Sequence, residues 1–230
     1  MTDSDSTGPK TSAFPIAGVI FDMDGVLLES EPFIAAAAVK MFSEKGVTVI
    51  PEEFRPFIGT GEDRFLGGVA EARGVTLDMP RDKVRTYAIY LDLIVGRLEA
   101  LPGVSRFLTE CHRRGLKTAV ASSADRMKVE GNLKEIHLPA SSFQAIVVGE
   151  DVENKKPAPD IFLEAARRLG LDPRACLVVE DAVSGVAAAR AAGSRCLGLT
   201  TSFAAEFLMA AGADWTAANL EAAPFDVLDW

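Results

Sequence analysis

The sequence contains few of the residues that mark disulfide-stabilised or zinc-binding proteins. It has three cysteines, an odd number, and their spacing is unlike that of metal ligands. Cys176 and Cys196 lie in or beside apolar runs, so we expect them to be core residues. This pattern fits a reducing compartment, which would be the cytoplasm, or the chloroplast stroma if the chain comes from a plant or alga.

Positive charge and long apolar runs are also scarce. Lysine and arginine number 24 against 33 acidic residues, which gives a net charge of −9 and disfavours nucleic acid and anionic membranes as partners. No apolar run approaches the roughly 20 residues that a membrane-spanning helix needs. Residues 1–13 are polar and partly acidic, so we expect a disordered tail there and neither a secretory signal nor a transit peptide.

The most informative segment is an apolar run that ends in two aspartates. Residues 16–21 are rich in β-branched and aromatic side chains and predict a short buried strand. Asp22 and Asp24 follow it one residue apart, and Gly25 allows a sharp turn after them. In a continuing strand the two carboxylates would share a face and repel each other, so a metal, a lysine or a shared proton should hold them. The alternative is that they only cap the next helix.

The rest of the chain divides into a helical part and an alternating part. Residues 31–98 predict helices and no strand. From residue 101 onward helices alternate with strands, an order that predicts a parallel sheet covered on both faces. The later predicted strands are residues 117–121, 145–148, 175–179 and 196–199. We therefore expect an α/β fold, with a Rossmann-like three-layer core of residues 14–30 and 100–230 and an all-helical cap of residues 31–99.

Three further sets of polar residues come after later strands of the predicted sheet. Ser122 and Ser123 follow the second strand, where hydroxyls and helix-starting amides can bind an anion. Lys156 follows the third strand and precedes a proline that stiffens its loop. Glu180 and Asp181 end the fourth strand. Taken alone, the serines could simply cap a helix, and Lys156 could belong to an exposed basic pair. Two buried strands that both end in acids are hard to explain by capping.

Together these sets contain the groups that a phosphoryl-transfer site needs. The four carboxylates at the strand ends are the hard oxygen ligands that suit Mg²⁺. Lys156 and Ser122 supply positive charge and hydrogen bonds for a phosphoryl group. A carboxylate can also act as the nucleophile and form an aspartyl-phosphate.

In order and spacing, the four motifs resemble those of the haloacid dehalogenase superfamily, phosphatase branch, over residues 17–199. The Lys-Pro-Ala-Pro-Asp-Ile-Phe run at residues 156–162 and the Glu-Asp pair resemble the β-phosphoglucomutase-like subgroup, whose helical cap is inserted at the same place. Residues 59–70 and 120–126 further resemble the hydrolase domain of a multidomain chloroplast protein of plants.

The resemblance implies a role for each residue of the site. Asp22 would be the nucleophile, and Asp24 the general acid and then the general base. Lys156, Ser122 and Ser123 would hold the phosphoryl group, with Lys156 counted among the catalytic residues. The implied Mg²⁺ ligands are Asp22, Asp24, Glu180 and Asp181.

Two departures from the subgroup decide between activities. The mutases carry a histidine where this chain has Ile34, and an arginine in the cap loop where it has Glu62. We therefore expect a Mg²⁺-dependent phosphatase that acts on a small phosphorylated metabolite. A phosphosugar mutase is the alternative, and a catalytically weak regulatory module is a third. We expect a monomer that binds neither nucleic acid nor membrane.

The cap should be tethered by two linkers, near residues 27–30 and 99–103. Its loop at residues 59–62 contains two glycines, which permit close backbone approach. We expect this loop to approach the carboxylates when the cap closes. The alternative is that the glycines only turn one cap helix into the next.

Overall fold

The computed structural model describes residues 14–57 and 61–229. The predicted tail at residues 1–13 lies outside the described residues, as do residues 59 and 60 of the predicted cap loop. None of the described helices is both long enough and apolar enough to pass through a membrane.

A six-stranded parallel sheet forms the centre of the molecule, with strand order β3-β2-β1-β4-β5-β6. Its strands are β1 Gly18–Phe21, β2 Lys117–Ala121, β3 Ala145–Val147, β4 Cys176–Glu180, β5 Arg195–Leu199 and β6 Trp215–Ala217. β1 lies between β2 and β4, with Phe21 opposite both Val120 and Val179. The first five strands were predicted. β6 was not, because a partly exposed edge strand of three residues carries little hydrophobic pattern.

Helices make up the remaining layers. They are α1 Glu31–Glu44, α2 Glu62–Ala72, α3 Met79–Ile94, α4 Val104–Arg113, α5 Arg126–Glu135, α6 Asp160–Leu169, α7 Val183–Ala192 and α8 Ala205–Ala211, with a 3₁₀ helix at Pro51–Phe57. α3 begins at Met79, because the Asp78 side chain caps it and a proline occupies its first turn. α3 ends at Ile94, because Val95 leaves the helical conformation with a ψ of 119° and begins a turn in which Gly96 has a φ of +65°.

The sheet buries a different apolar cluster on each face. Along β1, Val19 and Phe21 join one cluster and Ile20 joins the other, as alternation along a strand requires. The second cluster is completed by α6 and α7, for example by Phe162 and Val186. This arrangement confirms the three-layer core.

Helices α1 to α3 form the cap, which is inserted after β1 as predicted. Its interior contains Phe54, whose ring centroid lies 4.8 Å from that of Phe65 and 6.0 Å from that of Phe42. The two connections to the core run side by side, because the Leu101 amide donates a 2.9 Å hydrogen bond to the Leu27 carbonyl. They lie where the two linkers were predicted. The residue bounds given above for core and cap stay a prediction.

Candidate active site

Asp22 and Lys156 lie at the centre of the candidate site. Asp22 follows β1 directly, and its amide donates to the Val179 carbonyl of β4 at 2.9 Å. The Lys156 ammonium donates to an Asp22 carboxylate oxygen and, at 2.7 Å, to Oε1 of Glu180. The Lys156 side chain is only 5% exposed. The lysine therefore joins the acids of two neighbouring strands at the carboxyl edge of the sheet, where open α/β sheets bind ligands.

Burial and repulsion shift the pKa of two of these acids. Burial raises the pKa of Asp22 to about 7, although the Lys156 charge opposes that shift and Glu180 adds to it. Burial, followed by the charges of Glu180 and Asp22, raises the pKa of Asp181 to about 9. The positive charge of Lys156 alone thus does not balance the negative charge of the carboxylates, and binding of a further cation is favoured.

Glu180 and Asp181 have different surroundings. Oε2 of Glu180 accepts hydrogen bonds from the amides of Asp181 and Ala182, both at 2.8 Å, while Oε1 binds Lys156. Both Glu180 oxygens are therefore used to hold the loop and the lysine. Asp181 accepts a hydrogen bond from the Ser202 hydroxyl, so it keeps more capacity to bind a ligand than Glu180 does.

Two glycines give these acids room. A Cβ atom on Gly25 would lie 1.9 Å from Oδ2 of Asp181, and one on Gly185 would lie 1.7 Å from Oε1 of Glu180. Gly25 also has a φ of +74°, in the region that glycine adopts without steric cost. The predicted sharp turn after the aspartates is therefore present, and it brings β1 and β4 loops into contact.

Ser122 extends the same edge of the sheet, after β2. Its amide donates to the Val147 carbonyl at 3.0 Å, and its hydroxyl accepts from the Ala124 amide at 3.2 Å. Ser122 is buried, whereas Ser123 is half-buried. The Ser123 carbonyl lies against Gly149, where an added Cβ would come within 2.3 Å of it. The predicted phosphoryl-binding serines thus lie beside the strand that carries Asp22.

Asp24 faces the cap side of the site. The Ser30 hydroxyl donates to Oδ1 of Asp24, and the Lys128 ammonium donates to Oδ2 at 3.1 Å. Lys128 lies on α5, one turn after the serine loop, and its side chain is 5% exposed. Both oxygens of the predicted general acid are therefore hydrogen-bonded in this structure.

Glu62 of the cap completes this second cluster. Its Oε1 lies 3.5 Å from the Lys128 ammonium, and its side chain is 7% exposed. The preceding Gly61 has a φ of +86° and lies beside the Ser123 carbonyl, 3.8 Å from where its Cβ would be. The end of the predicted cap loop does approach the site, and Glu62 is the residue that enters it.

Sequence reasoning missed Lys128. A signal was available, since Lys128 and Asn132 are four residues apart and lie on one face of α5, a face expected to be apolar if it only packs. Asn132 is buried and hydrogen-bonded to the Tyr90 hydroxyl of α3, and Lys128 lies 5.8 Å from the centroid of the Tyr90 ring. Two polar side chains on a buried helix face next to a serine loop indicate a site.

The two histidines of the chain lie away from Asp22, and Ile34 is a core residue. Ile34 is buried in the apolar cluster that includes the cap. His112 lies at the opposite, amino end of β2, with its Nε2 3.1 Å from the Ser142 carbonyl and 3.4 Å from Oγ1 of Thr118. His137 lines a separate surface cavity beyond α5. Neither histidine is near Asp22.

The predicted Mg²⁺ ligands fit a hard cation by chemistry, but they are not assembled as a metal centre. Within residues 14–57 and 61–229, no three His, Cys, Asp or Glu side chains converge into a group that could hold a metal ion. Lys156 lies between Asp22 and Glu180 and compensates both. The raised pKa of Asp181 means that its charged form lacks compensation. Carboxylate oxygens with excess negative charge are the donors that Mg²⁺ takes.

The chain belongs to the haloacid dehalogenase-like hydrolase family, whose family model matches residues 16–193. It is 48% identical over 200 residues to Suppressor of Quenching 1, chloroplastic, of Arabidopsis thaliana, a match that covers 86% of this chain and 19% of that protein. The chain thus spans about a fifth of that relative. It is also 32% identical to hexitol phosphatase B of Escherichia coli strain K12, over 78% of this chain and 82% of that one.

Solved structures agree with the predicted subgroup. CbbY of Rhodobacter sphaeroides in complex with phosphate has a TM-score of 0.81 and 28% identity, covering 90% of this chain and 95% of that chain. A putative β-phosphoglucomutase from Thermotoga maritima has a TM-score of 0.72 and 29% identity, covering 93% and 97%. The predicted superfamily, subgroup and capped α/β fold are confirmed, and the chain is a hydrolase with phosphatase relatives.

Proposed function

We propose that the chain is a Mg²⁺-dependent phosphatase that hydrolyses a small phosphorylated metabolite through an aspartyl-phosphate on Asp22. The observation that carries the proposal is the buried Asp22 carboxylate hydrogen-bonded to the Lys156 ammonium, at the sheet edge that Ser122 also lines. Nucleophile, positive charge and hydroxyl donor are the groups that phosphoryl transfer requires. The phosphatase relatives support the same reaction class.

In the first step an Asp22 oxygen attacks phosphorus, and the bond from phosphorus to the leaving oxygen breaks. Lys156 and Ser122 bind phosphoryl oxygens and stabilise the charge that they carry in the transition state. Asp24, in its protonated form, gives its proton to the leaving alkoxide. The product of this step is an alcohol, with the phosphoryl group on Asp22.

In the second step Asp24 acts as a base. Its carboxylate takes a proton from water, the water oxygen attacks phosphorus, and the bond to Asp22 breaks. Inorganic phosphate leaves, and both aspartates return to their starting state. In the resting structure Ser30 and Lys128 hold Asp24, so one of these hydrogen bonds must be exchanged for the leaving oxygen.

Mg²⁺, when bound, offsets the negative charge of the carboxylates and of the substrate phosphate. We propose Asp22 and Asp181 as its side-chain ligands, with the Asp24 backbone carbonyl. Glu180 serves mainly to hold Lys156 and the Asp181 loop, because both its oxygens already accept hydrogen bonds.

The test is the Asp22→Asn variant with p-nitrophenyl phosphate and Mg²⁺. Asparagine keeps the size of the side chain but is a poor nucleophile, so we expect turnover to fall below detection. The thermal midpoint should show that the variant is folded. Retention of wild-type turnover would overturn the proposal.

A phosphosugar mutase is the second candidate, since a putative β-phosphoglucomutase shares the fold. The apolar Ile34 and the acidic Glu62 at the two mutase positions favour hydrolysis. Phosphate that moves from a sugar bisphosphate to a sugar monophosphate, with no inorganic phosphate released, would favour the mutase.

We propose that the chain works in the chloroplast stroma if its source is a plant or alga, and otherwise in the cytoplasm. The similar chloroplast protein of Arabidopsis thaliana supports the first possibility. The absence of nucleic-acid partners rests on the net charge of −9.

A further inference from the structure

The two ends of the site differ in charge. At the phosphoryl end Lys156 and Ser122 face the substrate phosphate. At the cap end the carboxylates of Asp24 and Glu62 both lie beside Lys128. A substrate bound with its phosphate at Lys156 therefore presents its leaving group to an acidic wall.

Lys128 does not make this wall attractive to anions. Its ammonium already compensates two carboxylates, Asp24 at 3.1 Å and Glu62 at 3.5 Å. An anion on the substrate would have to displace Glu62 from Lys128 and then remain beside Asp24. Like charges placed together at an interface cost several kcal/mol, so the wall selects against such substrates.

A buried hydroxyl without a partner lies beside the same wall. Tyr87 of α3 is 2% exposed, and its hydroxyl makes no hydrogen bond within residues 14–57 and 61–229. It lies close to the Glu62 carboxylate and to the Asp125 backbone, and both affect its pKa, but neither completes a hydrogen bond with it. It also lines a cavity of about 400 Å³ at the junction of cap and core, together with Lys83 and Asp125. An unpaired buried hydroxyl is costly, so a hydroxyl on a ligand would be a favourable partner.

We propose that the cap end of the site selects substrates whose leaving group is uncharged and hydroxylated, and that Glu62 excludes a second phosphate or a carboxylate. This inference rests on the proposed phosphatase function. It assigns Glu62 a specificity role and gives the Tyr87 hydroxyl a substrate hydroxyl as its partner.

The experiment measures competition against p-nitrophenyl phosphate hydrolysis with two matched pairs of compounds. Glucose 6-phosphate is compared with glucose 1,6-bisphosphate, and 2-hydroxyethyl phosphate with phosphoglycolate. In the first pair the second compound carries an additional phosphate at O1, and in the second pair a carboxylate replaces the hydroxymethyl group, so the first pair isolates the effect of charge. In the wild-type protein we expect the inhibition constant of the anionic member to be at least about tenfold higher.

In Glu62→Gln we expect each ratio to fall by about tenfold, because the variant keeps the side-chain shape and removes the charge. The matched control is Glu71→Gln, which removes an exposed carboxylate from the same helix and should leave both ratios unchanged. Tyr87→Phe should raise the inhibition constant of the uncharged member of each pair by a larger factor than it raises the KM for p-nitrophenyl phosphate.

Equal or tighter inhibition by the anionic members in the wild-type protein would overturn the inference, whatever the variants do. Unchanged ratios in Glu62→Gln would overturn the role of Glu62. If the wild-type protein hydrolyses no phosphate ester with Mg²⁺, the proposed function fails first, and this inference falls with it.

Discussion

The site contains two buried lysines, each between two carboxylates, on opposite sides of the reaction centre. Lys156 joins Asp22 and Glu180, which both belong to the core. Lys128 joins Asp24 of the core to Glu62 of the cap. The charge around Lys156 is therefore set by the sheet alone, whereas the charge around Lys128 is compensated fully only while the cap is docked. We therefore expect Lys156 to act in the reaction, and the charge compensation around Lys128 to depend on the position of the cap.

Among variants of the two lysines, Lys156→Met should have the largest effect. It removes the positive charge from the phosphoryl end and leaves Asp22 and Glu180 buried without a cationic partner. We expect kcat/KM to fall by about 10²–10³-fold, as when one charge-stabilising donor is lost, and the free energy of unfolding to fall by about 3–5 kcal/mol.

Lys155→Met is the matched control for Lys156→Met. Lys155 is exposed, and its ammonium binds the Gly149 carbonyl instead of a carboxylate. Steady-state kinetics and urea unfolding of both variants test the comparison. Comparable losses in the two variants would contradict the separate role of Lys156.

The contrast between the lysines also explains what the sequence allowed us to predict. Lys156 was predicted because it follows a strand, precedes a proline and has its place in an ordered set of motifs. The aspartates and Ser122 were predicted for the same reason, since the carboxyl ends of parallel strands must meet at one edge. A residue that directly follows a predicted parallel strand can be placed from sequence, because the carboxyl ends of the strands lie at one edge of the sheet.

Lys128 and its contact with Glu62 could not be predicted in that way. Their approach depends on how the cap packs against α5, which no local spacing specifies. The sequence did single out Glu62 as an acid at a mutase arginine position, but it gave no partner for it. The helical character of the cap was predicted because it follows from local sequence, whereas β6 depends on packing at the edge of the sheet.

Lys128→Met should have a smaller effect on catalysis than Lys156→Met. Asp24 keeps its hydrogen bond to Ser30, and the phosphoryl end is untouched, so we expect turnover of p-nitrophenyl phosphate to fall by about tenfold. We expect the free energy of unfolding to fall by about 3 kcal/mol, because Glu62 is left buried without its cationic partner and burial already raises its pKa.

Adding Glu62→Gln to Lys128→Met should restore part of the lost stability, since the double variant no longer buries an unpaired charge at the cap. A double-mutant cycle measured by urea unfolding gives the coupling energy. Strict additivity would mean that the two side chains do not interact in solution, and the expected dependence of the charge compensation around Lys128 on the cap would be wrong.

The smallest effect concerns Mg²⁺ and pH, and it separates the two ends of the site. In the metal-free protein the pKa is raised to about 7 for Asp22 and to about 9 for Asp181, above the ordinary value near 3.9. Between about pH 4 and about pH 9 the folded state binds more protons than the unfolded chain. The free energy of unfolding therefore falls as the pH rises over this range. Mg²⁺ binds the deprotonated carboxylates, and its stabilising effect should therefore grow over the same range.

At a free Mg²⁺ concentration ten times the dissociation constant, the gain should be about 1.4 kcal/mol. The measurement is the thermal midpoint with Mg²⁺ and with a chelator, at pH 6 and pH 8, and the Mg²⁺-induced rise should be larger at pH 8. Asp181→Asn should abolish the rise. Lys128→Met should keep it, because Lys128 lies at the other end of the site. A rise that is lost in Lys128→Met and kept in Asp181→Asn would place the cation at the cap end and reverse the assignment of the two lysines.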